Sequence, residues 1–126
     1  MIIRANERTF ETRHEMRGGK GDVSLAMLSN EALAPHLRLF SELTIPPEAG
    51  IGTHTHSGET EYFFIIEGNA TVNDNGVTTI VHPGDVLITG GGALHSIENH
   101  TSEPVRLVAV IVTEAQPAHS AKRENT

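Results

Sequence analysis

The chain has 126 residues, enough for one compact domain with a sizeable core and too few for two. It has no cysteine, which excludes disulfides, thiolate zinc sites and thiol catalysis, and a net charge of -7 without any Lys/Arg cluster argues against nucleic-acid binding. No segment has the apolar length of a bilayer span or a secretory signal, so a cytoplasmic protein is expected.

Residues 1–12 are polar apart from Ile2, Ile3 and Phe10. They read as an arm, either loosely held or forming a short strand on a sheet edge of its own or a neighbouring subunit. Glycines mark residues 13–21 as a loop; basic side chains flank them, but the Gly-Lys-Ser/Thr ending of a phosphate-cradling loop is missing. Residues 23–28 are apolar enough for a buried strand, and 30–35 form a helical turn or loop. From 37 to 45 the chain alternates, with Leu37, Leu39, Leu43 and Ile45 on one side and Arg38, Phe40, Glu42 and Thr44 on the other. One of these faces lines the cavity if the strand belongs to a barrel. Arg38 and Glu42 are then either surface charges or pocket groups, and Glu42 is the one candidate for an added acid or base. Pro46-Pro47 ends the strand, because proline cannot donate to the ladder.

The most informative stretch follows. On a strand, His54 and His56 project to the same side about 7 Å apart, a chelating pair. Glu61 lies at an odd offset from them, and a turn or bulge at Ser57-Gly58 would return it to their side. The strand over 61–66 then places Phe63 and Ile65 beside Glu61, with Phe63 a possible pocket wall. Tyr62, Phe64 and Ile66 form the outer set, and the three adjacent aromatics Tyr62, Phe63 and Phe64 are read as core or dimer contact. Asn75-Gly76 suits a tight hairpin between strands at 70–72 and 77–81, and Pro83-Gly84 suits a type II turn before a strand at 85–89. Gly90, Gly91 and Gly92 lead into His95, whose strand carries Ile97 and Asn99 on the same face; Ile97 is a second candidate pocket wall. The apolar, β-branched run at 105–112 reads as a buried strand. Residues 114–126 read as a flexible tail, and His14, His36 and His119 as incidental.

Many short strands with Gly/Pro punctuation argue for an all-β fold, a double-sheet jelly roll or small barrel. His54, His56, Glu61 and His95 read as one metal site. Three neutral imidazoles and one carboxylate leave a divalent ion with a net charge of about +1 and, if octahedral, open positions, which favours a small anionic, bidentate ligand. The set suits Mn, Fe, Zn, Ni or Co.

This constellation resembles the cupin superfamily. Its first motif is matched in spacing by His54, His56, Glu61 and Gly68, and its second by Gly84, Gly92, His95 and Asn99. Two positions depart: Glu48 stands where the first motif opens with Gly, and Gly90 where the second carries Pro. The resemblance covers residues 37–112 and implies a double-stranded β-helix, with residues 1–113 as one domain, the metal inside the barrel mouth, and a homodimer. Cupins with such ligands include dioxygenases, oxalate-degrading enzymes, isomerases and epimerases, lyases, and proteins with no established reaction. Oxalate-degrading relatives carry an Arg three residues before the first ligand histidine; Ile51 stands here, so that reading lacks its anchor unless Arg38 or Arg106 replaces it. The leading expectation is a metal-dependent enzyme on a small oxygen-rich or carboxylated metabolite. The alternative is a metal-dependent binding or sensor module without turnover.

Overall fold

The computed structural model describes residues 1–29 and 34–114, and among them helical structure is confined to 3-10 turns at Ala5–Glu7 and Met16–Gly18. The rest is built on ten strands: β1 (Phe10–His14), β2 (Asp22–Met27), β3 (Leu37–Ile45), β4 (Gly50–Thr55), β5 (Glu59–Glu67), β6 (Ala70–Asp74), β7 (Val77–Val81), β8 (Val86–Gly90), β9 (Leu94–Glu98) and β10 (Val105–Thr113). They form a six-stranded sheet in the order β1-β2-β3-β10-β5-β8 and a four-stranded sheet in the order β4-β9-β6-β7, every pairing antiparallel. This is a jelly-roll barrel. No helix of the described residues is long and apolar enough to cross a membrane.

The period of two seen in the sequence decides which side chains fill the space between the sheets. On β10, Leu107, Ala109 and Ile111 are buried; their partners on β3 are Leu43, Ser41 and Leu39, and on β5 they face Ile65, Phe63 and Glu61. The smaller sheet answers with Ile51, Val72 and Ile97, also buried. Removing these side chains from water is the main stabilising term of the fold, at about 25 cal/mol per Å² of apolar surface.

The arm enters the larger sheet as β1, which pairs with β2 of the same chain, Arg13 opposite Val23 and His14 opposite Asp22. The stretch read as a loop from residue 13 therefore begins as strand, and the glycines mark only the turn. Asn75, with φ +48, makes the tight β6–β7 hairpin as expected. Tyr62, Phe64 and Ile66 are not core: they stand 39%, 47% and 39% exposed on the outside of the six-stranded sheet. The turn or loop expected over 30–35, in its first four residues, and His119 with nearly all of the tail lie outside the described residues.

The motif departures have physical readings. A Cβ on Gly90 would lie 2.4 Å from Thr60 Oγ1, so the neighbouring strand excludes any side chain there. Glu48 adopts φ +68, the left-handed conformation that glycine takes without penalty.

Candidate metal centre

The centre is assembled from both sheets. β4 supplies His54, the residue just past its end supplies His56, β9 supplies His95, and β5 of the other sheet supplies Glu61. A register shift in the β4–β9 pairing between Ile51 and His54 sets His54 opposite His95. Ser57 and Gly58, the latter at φ +71, turn the chain so that Glu61 comes back to the side of the histidines. One ligand atom from each of the four residues lies within 4.8 Å of every other.

All three rings turn Nε2 inward. His95 Nε2 is 3.1 Å from His54 Nε2 and 3.1 Å from His56 Nε2, and Glu61 Oε1 stands 2.9 Å from His56 Nε2 and 3.0 Å from His95 Nε2. The Nδ1 atoms point away, each to its own partner. His54 Nδ1 donates to the Gly52 carbonyl at 2.7 Å, His56 Nδ1 donates to Glu59 Oε1 at 2.7 Å, and His95 Nδ1 meets Thr89 Oγ1 at 2.9 Å. A carbonyl and a carboxylate can only accept, so the protons of His54 and His56 lie on Nδ1 and their Nε2 atoms present lone pairs. Both Glu61 oxygens are buried, and only an imidazole Nε2 that carries a proton can donate to them. Two imidazole lone pairs converging on a buried carboxylate are what a cation resolves. The residues fit a divalent metal held by His54, His56, Glu61 and His95. Separations of 2.9–3.1 Å match neighbouring ligands at right angles around an ion with bonds of about 2.1 Å, whereas a tetrahedron would spread them to about 3.4 Å.

The electrostatics agree. Burial pushes His54 down to about 4, against the pull of the Gly52 carbonyl. Burial also depresses His56, but Glu61 and Glu59 outweigh it and hold that imidazole above its ordinary value, so a proton on His56 competes with the metal. For Glu61, burial raises the pKa and the imidazoles of His56 and His95 more than compensate, leaving it below the usual carboxylate range.

Phe63 is fully buried and stacks on His95, ring centroids 4.9 Å apart and planes 19° from parallel, which braces that ligand. Ile97 is buried two residues along β9 from His95. Arg38 stands one residue back from the centre, gripping Glu59 with Nε at 2.8 Å and Nη2 at 3.0 Å. Glu42 does not join them. It pairs with Val108 beside the inward Ser41–Ala109 pair, hence on the opposite face from Glu61, and its carboxylate is held by Arg8 and by Arg106. The acid/base role expected of Glu42 is corrected accordingly, and Arg106 is likewise spent on the outer face, against Glu42 and Glu67. Ile51 is core. Asn99 is a clamp, donating to the Ile45 and Glu103 carbonyls and accepting from Thr101. Glu59 and Thr89 were missed; strand alternation could have found Glu59, two residues before Glu61 on the same face.

Residues 41–111 match the family model described as the Cupin domain. An oxalate-binding protein of Thermotoga maritima is 41% identical over 113 residues, 89% of this chain and 93% of that protein. A crystal structure described as a predicted oxalate decarboxylase from Thermotoga maritima superposes with TM-score 0.85 at 40% identity, covering 90% of this chain and 99% of that one. The cupin domain of Schizosaccharomyces pombe Cnp3, at 22% identity and TM-score 0.67 over 82% of this chain and 68% of that one, shares the fold. The motif spacing, the two-sheet barrel and these likenesses agree that the chain belongs to the cupin family.

Proposed function

We propose that the protein binds a small dicarboxylate of the oxalate class at a divalent metal held by His54, His56, Glu61 and His95. The observation that carries this reading is the convergence of three imidazole Nε2 atoms and the buried Glu61 carboxylate within 4.8 Å of one another. Two negative charges beside a centre of net charge about +1 are attracted, and a planar dicarboxylate offers two oxygens to adjacent open positions. The bound metal would supply Lewis acidity and an anion anchor. The chain positions the ligands and keeps water out of the floor with Phe63 and Ile97. With Ile51 in the core and Arg38 and Arg106 engaged by glutamates, the metal bears most of the anion's charge. The relative that is named for oxalate binding supports the ligand class.

The test is calorimetry of oxalate, malonate and acetate against protein loaded with Mn(II) or Co(II) and against metal-free protein. Oxalate should bind only the loaded form and more tightly than acetate; equal binding to both forms refutes the reading. A second reading, turnover, follows from the likeness to a predicted oxalate decarboxylase, and release of carbon dioxide or formate by the loaded protein would establish it.

A homodimer is part of the same proposal. Tyr62 pairs with Ile88 and Phe64 with Val86, making a contiguous apolar patch with Ile66 on the outer face of the larger sheet. Five such side chains from each of two copies offer on the order of 1,000 Å², the lower end of specific interfaces. Light scattering should give twice the monomer mass, and a Phe64→Lys, Ile88→Lys variant should give the monomer.

A further inference from the structure

Glu59 and Arg38 carry no ligand, yet they form an ordered chain leading out of the centre. Arg38 holds both oxygens of Glu59 in a two-pronged ion pair, and Glu59 Oε1 in turn accepts from His56 Nδ1 at 2.7 Å. The three side chains are 19%, 15% and 1% exposed, from Arg38 inward to His56.

We infer that Glu59 is the positioning residue of the metal centre, locking His56 in the tautomer that exposes its Nε2 lone pair, and that Arg38 cancels the charge Glu59 would otherwise add beside the anion site. The chemistry of each hydrogen bond carries the inference. Only an acceptor opposite Nδ1 forces the proton there, and a carboxylate is acceptor only. Among the three histidines, His54 is set by the Gly52 carbonyl, which no side-chain substitution removes, and His95 by a hydroxyl, which can donate or accept. His56 alone depends on an ionised side chain. That side chain brings a full negative charge to the far side of the His56 ring from an ion whose net charge of about +1 is what draws an anion, and the bidentate guanidinium neutralises it. Arg38 thus takes a role in anion binding without touching the anion. The Arg38 part rests on the anion reading proposed above; the Glu59 part does not.

Glu59→Gln is the discriminating substitution. Arg38 would engage the amide oxygen, turning the amide NH2 toward His56 Nδ1, and a donor there drives the proton to Nε2, against the metal. Titration with Co(II), followed by its visible absorption, should show affinity 10- to 100-fold weaker than wild type, the range for partners of metal-bound histidines. In the metal-free protein at alkaline pH, 15N shifts of His56 should move from the Nδ1-H pattern toward Nε2-H, which merely structural damage would not produce. Arg38→Met should keep the His56 tautomer and Co(II) affinity within a few-fold of wild type while weakening oxalate by about tenfold or more. Wild-type Co(II) affinity with an unchanged tautomer in Glu59→Gln overturns the positioning role. Unchanged oxalate affinity in Arg38→Met overturns the charge-cancelling role. Wild-type protein that takes up no Co(II) defeats the metal reading instead, and the tautomer measurement still decides the role of Glu59.

Discussion

Glu42 and Glu61 are both buried carboxylates of the six-stranded sheet, separated by strand β10 and by the thickness of the sheet. On the outer face, Glu42 sits between Arg8 and Arg106 and is satisfied by the protein alone. On the inner face, Glu61 has three imidazoles for company in place of arginines. The same residue type at similar burial thus serves two ends. A carboxylate whose counter-charge the chain supplies is part of the scaffold, whereas one whose counter-charge is missing marks a place for something from outside.

Substitutions should separate the two faces. The largest effect is expected for His56→Ala, which removes a ligand: metal affinity should fall by more than the ~100-fold typical of losing an outer partner, with elemental analysis finding well under one ion per chain. Glu61→Gln should also abolish tight metal binding, with elemental analysis again finding well under one ion per chain. Glu42→Ala should do the reverse. It should destabilise by about 1–3 kcal/mol in urea melts, the lower part of the range for broken buried pairs because both arginines are partly exposed, and leave metal stoichiometry at wild type.

Acid should weaken the inner face first. In the metal-free fold His54 stays neutral down to about 4, while the unfolded chain protonates it near its ordinary value of 6.5. Between those values the unfolded state binds more protons, so this group lowers stability as the pH falls. His56, raised in the fold, acts oppositely: its stabilisation is full below 6.5 and disappears as the pH rises through its folded value. NMR of the metal-free protein should show His54 titrating at lower pH than His56, and exposed His14, raised by its hydrogen bond to Asp22 and by Glu15, titrating above 6.5. The smallest effect belongs to neither face. Glu48→Gly relieves a left-handed glutamate and should raise stability by up to about 1 kcal/mol, measured by thermal melting.

Much of the ligand set was legible because two local regularities coincided, the strand period that pairs His54 with His56 and the spacing that reaches Gly68 and Asn99. The alternation over β3 also told that Glu42 lies opposite Leu39 and Leu43. It did not tell which of those faces looks inward, since that depends on pairing with β10, more than sixty residues away. The Arg8 that satisfies Glu42 was equally invisible, as a 34-residue separation carries no local signal. Glu59 escaped for a different reason: motif spacing drew the reading to Glu61, and the neighbour on the same face was passed over.

Because the three imidazoles come from one sheet and its flanking turn and the carboxylate from the other sheet, an ion between them would tie the two layers together. Loading should therefore slow local opening of the site, with amides of β4, β5 and β9 exchanging with deuterium more slowly while the edge strand β1, four strands from β5 in the larger sheet, keeps its pace. The cofactor in this view acts also as a mechanical clasp, and its tightness sets how readily the mouth gapes to admit a guest.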